Sequence, residues 1–131
     1  MRVPNWSAVL AAKIEEWRSR PFAYGTADCF QFVADVVAAQ TGVDKRDLFP
    51  GYASRFGALR IIASMGGSAG ILTYALGEAK PVAHAGRGDV VIDRFSDGIA
   101  AAICLGVFCC SPGEKGLVFR STATAIAAWS V

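Results

Sequence analysis

The stretch FAYGTADCFQFVADVV, residues Phe22–Val37, joins a glycine-containing loop to an apolar helical run, with a cysteine at the junction. Asp28 is a residue type favoured at helix N-caps, so it predicts a helix that begins at Cys29. Thr41-Gly42 is typical of the C-terminal end of such a helix. Its predicted apolar face consists of Phe32, Val33, Val36 and Val37. Cys29 is therefore either a nucleophile or a core residue that follows a helix cap.

The position of Cys29 at a helix start favours a thiolate, because a helix N-terminus carries roughly half a positive charge and unpaired N–H groups. Tyr24-Gly25 upstream would let the backbone pass close to a substrate, and Tyr24 would offer a hydroxyl. Asp28 is interpreted as the cap, since a carboxylate beside the thiol opposes thiolate formation. Both interpretations of Cys29 stay open at this point, because cysteine is common in cores and a nucleophile also needs a base.

The composition predicts one folded domain over residues 1–131, with 53% hydrophobic residues available for a core. Thirteen basic and 11 acidic side chains give a net charge of +2, too small and too scattered for a nucleic-acid surface. No run of about 18 apolar residues predicts a membrane span. Four cysteines without a CxxC pair and a single histidine, His84, do not predict a structural zinc site. We expect free thiols, no metal and no cofactor.

The predicted elements change from helices to strands near residue 80. Asn5, Asp28 and Ser54 each cap a run of helical spacing, and AGILTYAL forms a weaker fourth helix that ends at Gly77. Strands are predicted from GDVVIDRF, from IAAAICLGVFCC with a break near Gly106, from LVFRS and from the end of the tail. Turns are predicted at Ser96-Asp97-Gly98 and SPGEKG. Helices first and antiparallel strands afterwards predict an α+β fold, with N-terminal helices packed on one C-terminal sheet.

The order of the motifs resembles the NlpC-type, papain-like cysteine peptidases. PFAYGTADCFQFV is followed along the chain by RGDVVI, a turn and AAAICLG. In that family an aromatic-rich Y-x-[WY]-G-G segment leads into Asp-Cys at a helix start. A GD-[LV]-V-F strand and an H-[VA]-G-[IV]-Y-L-G strand carrying the base then follow. The chain is more similar still to a phage-encoded branch of this superfamily, small proteins of unassigned activity found among tail genes.

The resemblance implies a papain-like (NlpC-type) fold and assigns family positions to individual residues. Cys29 falls on the nucleophile and Asp28 on the aspartate that precedes it. Tyr24-Gly25 falls on the [WY]-G pair, and Gly88-Asp89 on the start of the second motif strand.

Several residues depart from the family pattern. Aligning ICLG with I-Y-L-G places Ala100 where the family has its catalytic histidine. Phe22 stands where a tyrosine hydroxyl usually assists catalysis. Thr26 replaces the second glycine, and Phe30 replaces the serine after the nucleophile. A missing base matters most, since general-base assistance is typically worth about 10²–10⁴-fold in rate.

His84 is the alternative base, in the loop VAHAGRGDVV ahead of the family's histidine position. Histidines in loops are usually solvated, and a base must come within hydrogen-bond reach of the nucleophile. We therefore expect His84 not to be catalytic.

These observations predict a structural or assembly protein of a phage tail tip, with a degenerate papain-like cysteine peptidase fold. It would be assembled in the host cytoplasm, reside in the virion tail and contact other tail-tip or baseplate proteins. The alternative is an active cysteine peptidase that cleaves peptidoglycan during cell-wall penetration, with Cys29 as nucleophile. A third hypothesis is a redox or thiol-binding module that uses the four cysteines, with a vicinal switch at Cys109-Cys110.

Overall fold

Four helices precede a five-stranded antiparallel sheet in the computed structural model, which describes residues 1–49, 54–95 and 98–131. The helices are α1 (Trp6–Trp17), α2 (Cys29–Thr41), α3 (Arg55–Ser64) and α4 (Gly67–Leu76). The strands are β1 (Val90–Phe95), β2 (Gly98–Cys104), β3 (Phe108–Gly113), β4 (Gly116–Ser121) and β5 (Ala127–Trp129). Their order across the sheet is β4-β3-β2-β1-β5. The predicted α+β class is confirmed.

Helices α2 and α4 pack on one face of the sheet, which we call the helix face, and α1 packs on α2 and adds to the same core. Trp17 of α1 packs edge-on against Phe32 of α2, with ring centroids 5.1 Å apart. Burying a large apolar side chain of this kind stabilises the fold by about 1.5–3 kcal/mol. The sheet residues in this core are Val90, Ile92, Ala101, Ile103, Cys110 and Trp129.

The opposite face of the sheet carries a smaller buried patch made of Val91, Ala102, Cys104, Cys109 and Ala128. Ala85, Phe95 and Ala125 pack against this patch from the surrounding strand end and loops. Successive side chains of a strand point to opposite faces, so Ala101 and Ala102 belong to different clusters. This division decides which side chains can meet α2, because α2 lies on the helix face.

Helix starts and ends follow the predicted caps, with two adjustments. Ser54 accepts a hydrogen bond from the Gly57 N–H at 3.1 Å, and Gly42 ends α2 with φ 75°. Asn5 holds the N-cap position of α1, but its side chain makes no capping bond; the Asn5 carbonyl accepts from the Ala8 N–H at 3.1 Å. The fourth helix begins at Gly67, two residues before the predicted segment.

The predicted SPGEKG turn is wrong in its length. Ser111 and Pro112 belong to β3 and pair with Val118 and Leu117 of β4, so the connection shrinks to two residues. Pro112 is tolerated because β3 pairs with β2 only at Ile103↔Cys110 and Cys104↔Cys109, so its missing N–H removes no bond to β2. Ser96 and Asp97, in the other predicted turn, lie outside the described residues.

Within the described ranges, no single helix is long and apolar enough to cross a membrane. The bent pair Gly57–Ser64 and Gly67–Leu76, at 65°, passes by length and composition alone.

The carboxylate of Asp89, buried just before β1, joins both ends of the chain. Its Oδ1 accepts hydrogen bonds from Arg2 Nη2 at 2.9 Å and from the Val131 N–H at 3.2 Å. Its Oδ2 accepts from Lys80 Nζ at 2.7 Å and from the Gly86 N–H at 2.9 Å. Burial alone would raise the pKa of Asp89, but these bonds, with that of Lys80 first, outweigh it and hold the pKa below its usual value.

Gly88, next to this carboxylate, is a position that other residues fit poorly. Its φ is 93°, a region that side chains rarely adopt, and a Cβ there would collide with the Gln40 side chain. Gln40 Nε2 donates to the Gly88 carbonyl at 3.0 Å. The Gly88-Asp89 pair therefore has a structural explanation in this chain.

We expect Asp89→Asn to lower the free energy of unfolding by about 2–4 kcal/mol, because it removes the shared partner of two cations in a buried setting. Chemical denaturation at pH 7 measures the change. The matched control is Glu15→Gln, which breaks an exposed pair with Arg18 (2.9 Å) and is expected to cost less than about 1 kcal/mol. Equal effects of the two substitutions would contradict the assigned role of Asp89.

The effect of Asp89→Asn on the free energy of unfolding should also depend on pH. The folded pKa of Asp89 lies below its unfolded value of about 3.9, so its stabilisation is complete above that value and is lost as the pH falls through the folded pKa. The stability gap between the wild type and Asp89→Asn should therefore narrow on acidification below about pH 4. A gap that stays constant to the acid limit of folding would refute this linkage.

Candidate active site around Cys29

The loop before α2 is a closed turn that places Cys29 at the first helical position. The Phe22 N–H donates to the Gly113 carbonyl at 3.0 Å, which ties the loop to the end of β3. The Ala27 N–H donates to the Ala23 carbonyl at 2.8 Å, which closes the turn. Gly25 within it has φ 82°, a conformation that glycine adopts without strain.

Asp28 is confirmed as the helix cap and also closes the preceding loop. Its Oδ1 accepts from the Gln31 N–H at 2.9 Å, and its Oδ2 accepts from the Gly25 N–H at 2.6 Å. The residue is 1% exposed. Burial raises the pKa of Asp28, although the hydrogen bonds from these backbone groups oppose the shift. Both carboxylate oxygens are thus engaged in fixing the backbone.

Burial raises the pKa of the Cys29 thiol to about 12. The N–H of Ala101 on β2 opposes the shift, whereas the neighbouring Asp28 carboxylate adds to it. The Cys29 and Phe30 N–H groups at the helix start also favour the thiolate, without overcoming burial. Cys29 as a whole is half-buried, and its sulfur faces the β2 backbone. The thiol is consequently protonated at neutral pH.

The sulfur of Cys29 lies where β2 and β3 separate. The ladder between these strands ends at Ile103↔Cys110. Beyond it, the two strands are bridged by the Ser111 hydroxyl, which donates to the Ala101 carbonyl at 2.8 Å. The peptide N–H of Ala101 is free of that ladder and approaches Cys29 instead. The group of β2 that interacts with the Cys29 sulfur is therefore a backbone N–H.

Ala100 points away from Cys29. Ala100 of β2 pairs with Asp93 of β1, and the side chains of directly opposed residues lie on the same face of the sheet. Asp93 Oδ2 accepts from Thr124 Oγ1 at 2.8 Å and lies 3.4 Å from Arg120 Nε, so this pair belongs to the face without helices. A side chain at position 100, in this register, is directed to the face opposite α2.

His84 also lies on that other side. It ends a 3₁₀ turn, Val82–His84, and its side chain is exposed. The next residue, Ala85, packs against the patch on the face opposite the helices. The structure does not bring His84 to Cys29.

The aromatic residues predicted near the cysteine form a contact of their own. Phe22 and Tyr24 meet edge-to-face with ring centroids 4.8 Å apart. Tyr24 packs against the core under the helices together with Cys29. Phe30 is fully buried and stacks on Phe49, with centroids 5.8 Å apart. The position that holds serine in the peptidase pattern is here a core side chain.

In the part of the chain that the structure describes, Cys29 belongs to no group of metal-binding side chains and does not line the cavity beside α2. In residues 1–49, 54–95 and 98–131, no three His, Cys, Asp or Glu side chains could hold a metal ion. A surface cavity of about 220 Å³ lies beside α2, lined in part by Thr26, Gln31 and Asp35, but Cys29 does not line it.

Two features of the site escaped sequence analysis. The Ala101 N–H and the Ser111 hydroxyl carry no motif, because backbone groups are present at every position and a lone serine is common. The face of the sheet to which the Ala100 side chain points could not be predicted either. The segment IAAAIC is apolar at every position, so its alternation gives no sign of which residues face the helices.

The whole chain, residues 1–131, matches the model of the domain of unknown function DUF6950, and the protein belongs to that family. No curated protein matches the sequence.

Substitutions of Asp28 separate its two effects, on the helix and on the thiol. Asp28→Asn removes the charge and keeps one side-chain oxygen as a cap, so we expect the pKa of Cys29 to fall, with a smaller loss of stability than in Asp28→Ala because only one of the two N–H groups loses its acceptor. Asp28→Ala should cost about 1–2 kcal/mol, because it leaves the Gln31 and Gly25 N–H groups without their acceptor. The rate of Cys29 alkylation as a function of pH reports the first effect, and urea denaturation the second. An unchanged alkylation profile in Asp28→Asn would contradict the electrostatic contribution of Asp28.

Proposed function

We propose that this protein is a structural or assembly component of a phage tail tip, built on a papain-like, NlpC-type fold whose cysteine position no longer hydrolyses amides. The observation that carries the loss of catalysis is the state of Cys29. Its thiol is protonated at neutral pH, and the described residues bring no imidazole to its side of the sheet. The assignment to a phage tail is supported by the resemblance of the whole chain to proteins encoded among tail genes.

The chemistry of a cysteine peptidase needs a thiolate and a base that later protonates the leaving amine. A thiol with a pKa of about 12 leaves on the order of one molecule in 10⁵ as thiolate at pH 7. General acid–base assistance, worth about 10²–10⁴-fold, is also missing when residue 100 is alanine and points to the other face. The low fraction of thiolate and the missing acid–base assistance have one common cause, because a single histidine would both deprotonate the thiol and protonate the leaving amine.

An assembly role also agrees with the surface of the β3–β4 hairpin. Val107 and Phe108 at its base are 76% and 57% exposed, and Phe119 on the edge strand β4 is 41% exposed. Apolar groups concentrated at one edge of a small domain are typical of surfaces that contact other proteins. In the proposed setting, neighbouring tail-tip or baseplate proteins would cover them, and the chain would reside in the virion after assembly in the host cytoplasm.

The proposal is tested by introducing Cys29→Ala into the phage that carries the gene. We expect an infective titre within about threefold of the wild type and normal tails, because the variant keeps the Asp28 cap and removes one thiol. Deletion of the gene should abolish infectious particles. The protein should be detected in purified virions. If Cys29→Ala gave complete tails but a titre reduced more than tenfold, the proposal that catalysis has been lost would be overturned. Absence of the protein from virions would overturn the proposed structural role.

The second candidate is an active thiol hydrolase acting on peptidoglycan, with Cys29 as nucleophile. The observation that favours it is the set of N–H groups from Ala101, Cys29 and Phe30 directed at the sulfur, which is the kind of environment that stabilises a thiolate. A histidine from a neighbouring chain in the assembly would have to complete this site.

Alkylation of the native protein distinguishes the two candidates. At pH 7.5 we expect iodoacetamide to modify Cys29 on the order of a hundredfold more slowly than free cysteine, after allowing for the higher intrinsic reactivity of a more basic thiolate. Mass spectrometry of the alkylated peptide gives the rate, with Cys29→Ser as the control. Modification faster than free cysteine, together with cell-wall cleavage that Cys29→Ser abolishes, would establish the hydrolase.

A further inference from the structure

The pairing between β2 and β3, which we call the seam, has the fewest residue pairs of any two neighbouring strands in the described sheet. It joins two residue pairs, Ile103↔Cys110 and Cys104↔Cys109, whereas β3 and β4 pair over six. The β3–β4 hairpin is therefore attached to the rest of the sheet by few backbone bonds. Three of the four paired residues are cysteines, and Cys104 and Cys109 lie directly opposite each other.

Cys104 and Cys109 form a non-hydrogen-bonded pair. The Cys104 N–H donates to the Asp89 carbonyl at 2.8 Å, and the Cys104 carbonyl accepts from the Gly88 N–H at 2.7 Å. Both peptide groups of Cys104 thus point toward β1 and away from β3. In such a pair the Cα atoms are about 4.5 Å apart and the side chains lie closer than in a hydrogen-bonded pair.

This geometry meets the requirement for a disulfide, whose Cα atoms are usually about 4.4–6.8 Å apart. Both side chains point to the same face and belong to the same buried patch. The vicinal pair is excluded by the same rule. Cys110 points to the helix face, so the predicted switch at Cys109-Cys110 does not have its two thiols together.

We propose that Cys104 and Cys109 are a dithiol pair that a low-molecular-weight disulfide converts into an intramolecular cross-strand disulfide. One cysteine thiolate attacks the reagent's S–S bond, which forms a mixed disulfide and releases one reagent thiol. The second thiolate then attacks the protein sulfur of the mixed disulfide and releases the second reagent thiol. The protein loses two protons and two electrons, and the reagent gains both.

The environment of the two thiols determines how the reaction begins. Cys104 Sγ receives a hydrogen bond from the Gly106 N–H at 3.4 Å and lies 3.6 Å from the Gly106 carbonyl oxygen. Gly106 and the 76% exposed Val107 form the tip of the β2–β3 turn. Because Cys104 lies next to this tip, we expect opening of the turn to expose Cys104 first and to make it the attacking thiol.

The reaction is slow in the closed state, because both thiols are buried and the Cys109 thiol is protonated at neutral pH. Burial, followed by the charges of Asp93 and Cys104, raises the pKa of Cys109 to about 11. Both residues are 0% exposed. The rate is therefore set by opening of the turn and rises with pH. Once formed, the bond ties the β3–β4 hairpin covalently to β2 at its shortest ladder.

The test oxidises the folded, full-length chain with excess oxidised glutathione at pH 8.5, blocks free thiols with N-ethylmaleimide and maps peptides without reduction. We expect one disulfide, between Cys104 and Cys109, with Cys29 and Cys110 carrying the blocking group. We also expect the thermal midpoint of unfolding to rise by at least about 4 °C over the reduced protein. The proposal does not depend on the function proposed above.

Matched variants make the assignment specific. Cys104→Ser and Cys109→Ser should each lose the disulfide and the rise in midpoint, while Cys110→Ser and Cys29→Ser keep both. Circular dichroism verifies that each variant is folded. A bond between any other pair, glutathione adducts alone, or no oxidation of the folded chain while the unfolded chain oxidises would each overturn the proposal.

Discussion

Side-chain alternation along β2 determines which residues meet the helices and which lie on the opposite face of the sheet. β2 lies in the middle of the sheet, and its residues divide between the helix face, on which α2 and α4 pack, and a face covered by loops. Ala101 and Ile103 line the helix core, whereas Ala102 and Cys104 line the other patch. A shift of one residue would exchange the two sets completely, so the register is strongly specified by burial. The same alternation separates Ala100 from Cys29.

Two buried aspartates illustrate how the chain uses charge for architecture. Asp28 accepts only from backbone N–H groups and has a raised pKa, while Asp89 accepts from two cations and has a lowered one. The first fixes a loop to a helix, and the second fixes the two ends of the chain to β1. Both lie at motif positions of the peptidase pattern. Each nevertheless has a complete structural explanation, which weakens any argument for catalysis from those motifs alone.

Much of the fold could be predicted from local signals. Asp28, Gly42 and Ser54 marked the ends of helices, because capping residues act within one turn of their own position. The extension of β3 through Pro112 could not be predicted, since proline usually interrupts a strand and is allowed here only because β2 has already diverged. The environment of Cys29 was partly predictable. Its place at a helix start followed from Asp28, but burial of the sulfur against β2 depends on tertiary packing.

Three of the four cysteines fall into two chemical situations, and this division bears on function. Cys29 lies at a helix start, the place where a thiol is usually activated, yet burial and the Asp28 charge keep it protonated. Cys104 and Cys109 are deep in a sheet, where thiols are usually inert, yet their register places them opposite each other. On the proposed chemistry, thiol reactivity in this protein follows three-dimensional proximity and not the sequence motif. A thiol without a base has little chemistry alone, whereas two opposed thiols need only an oxidant.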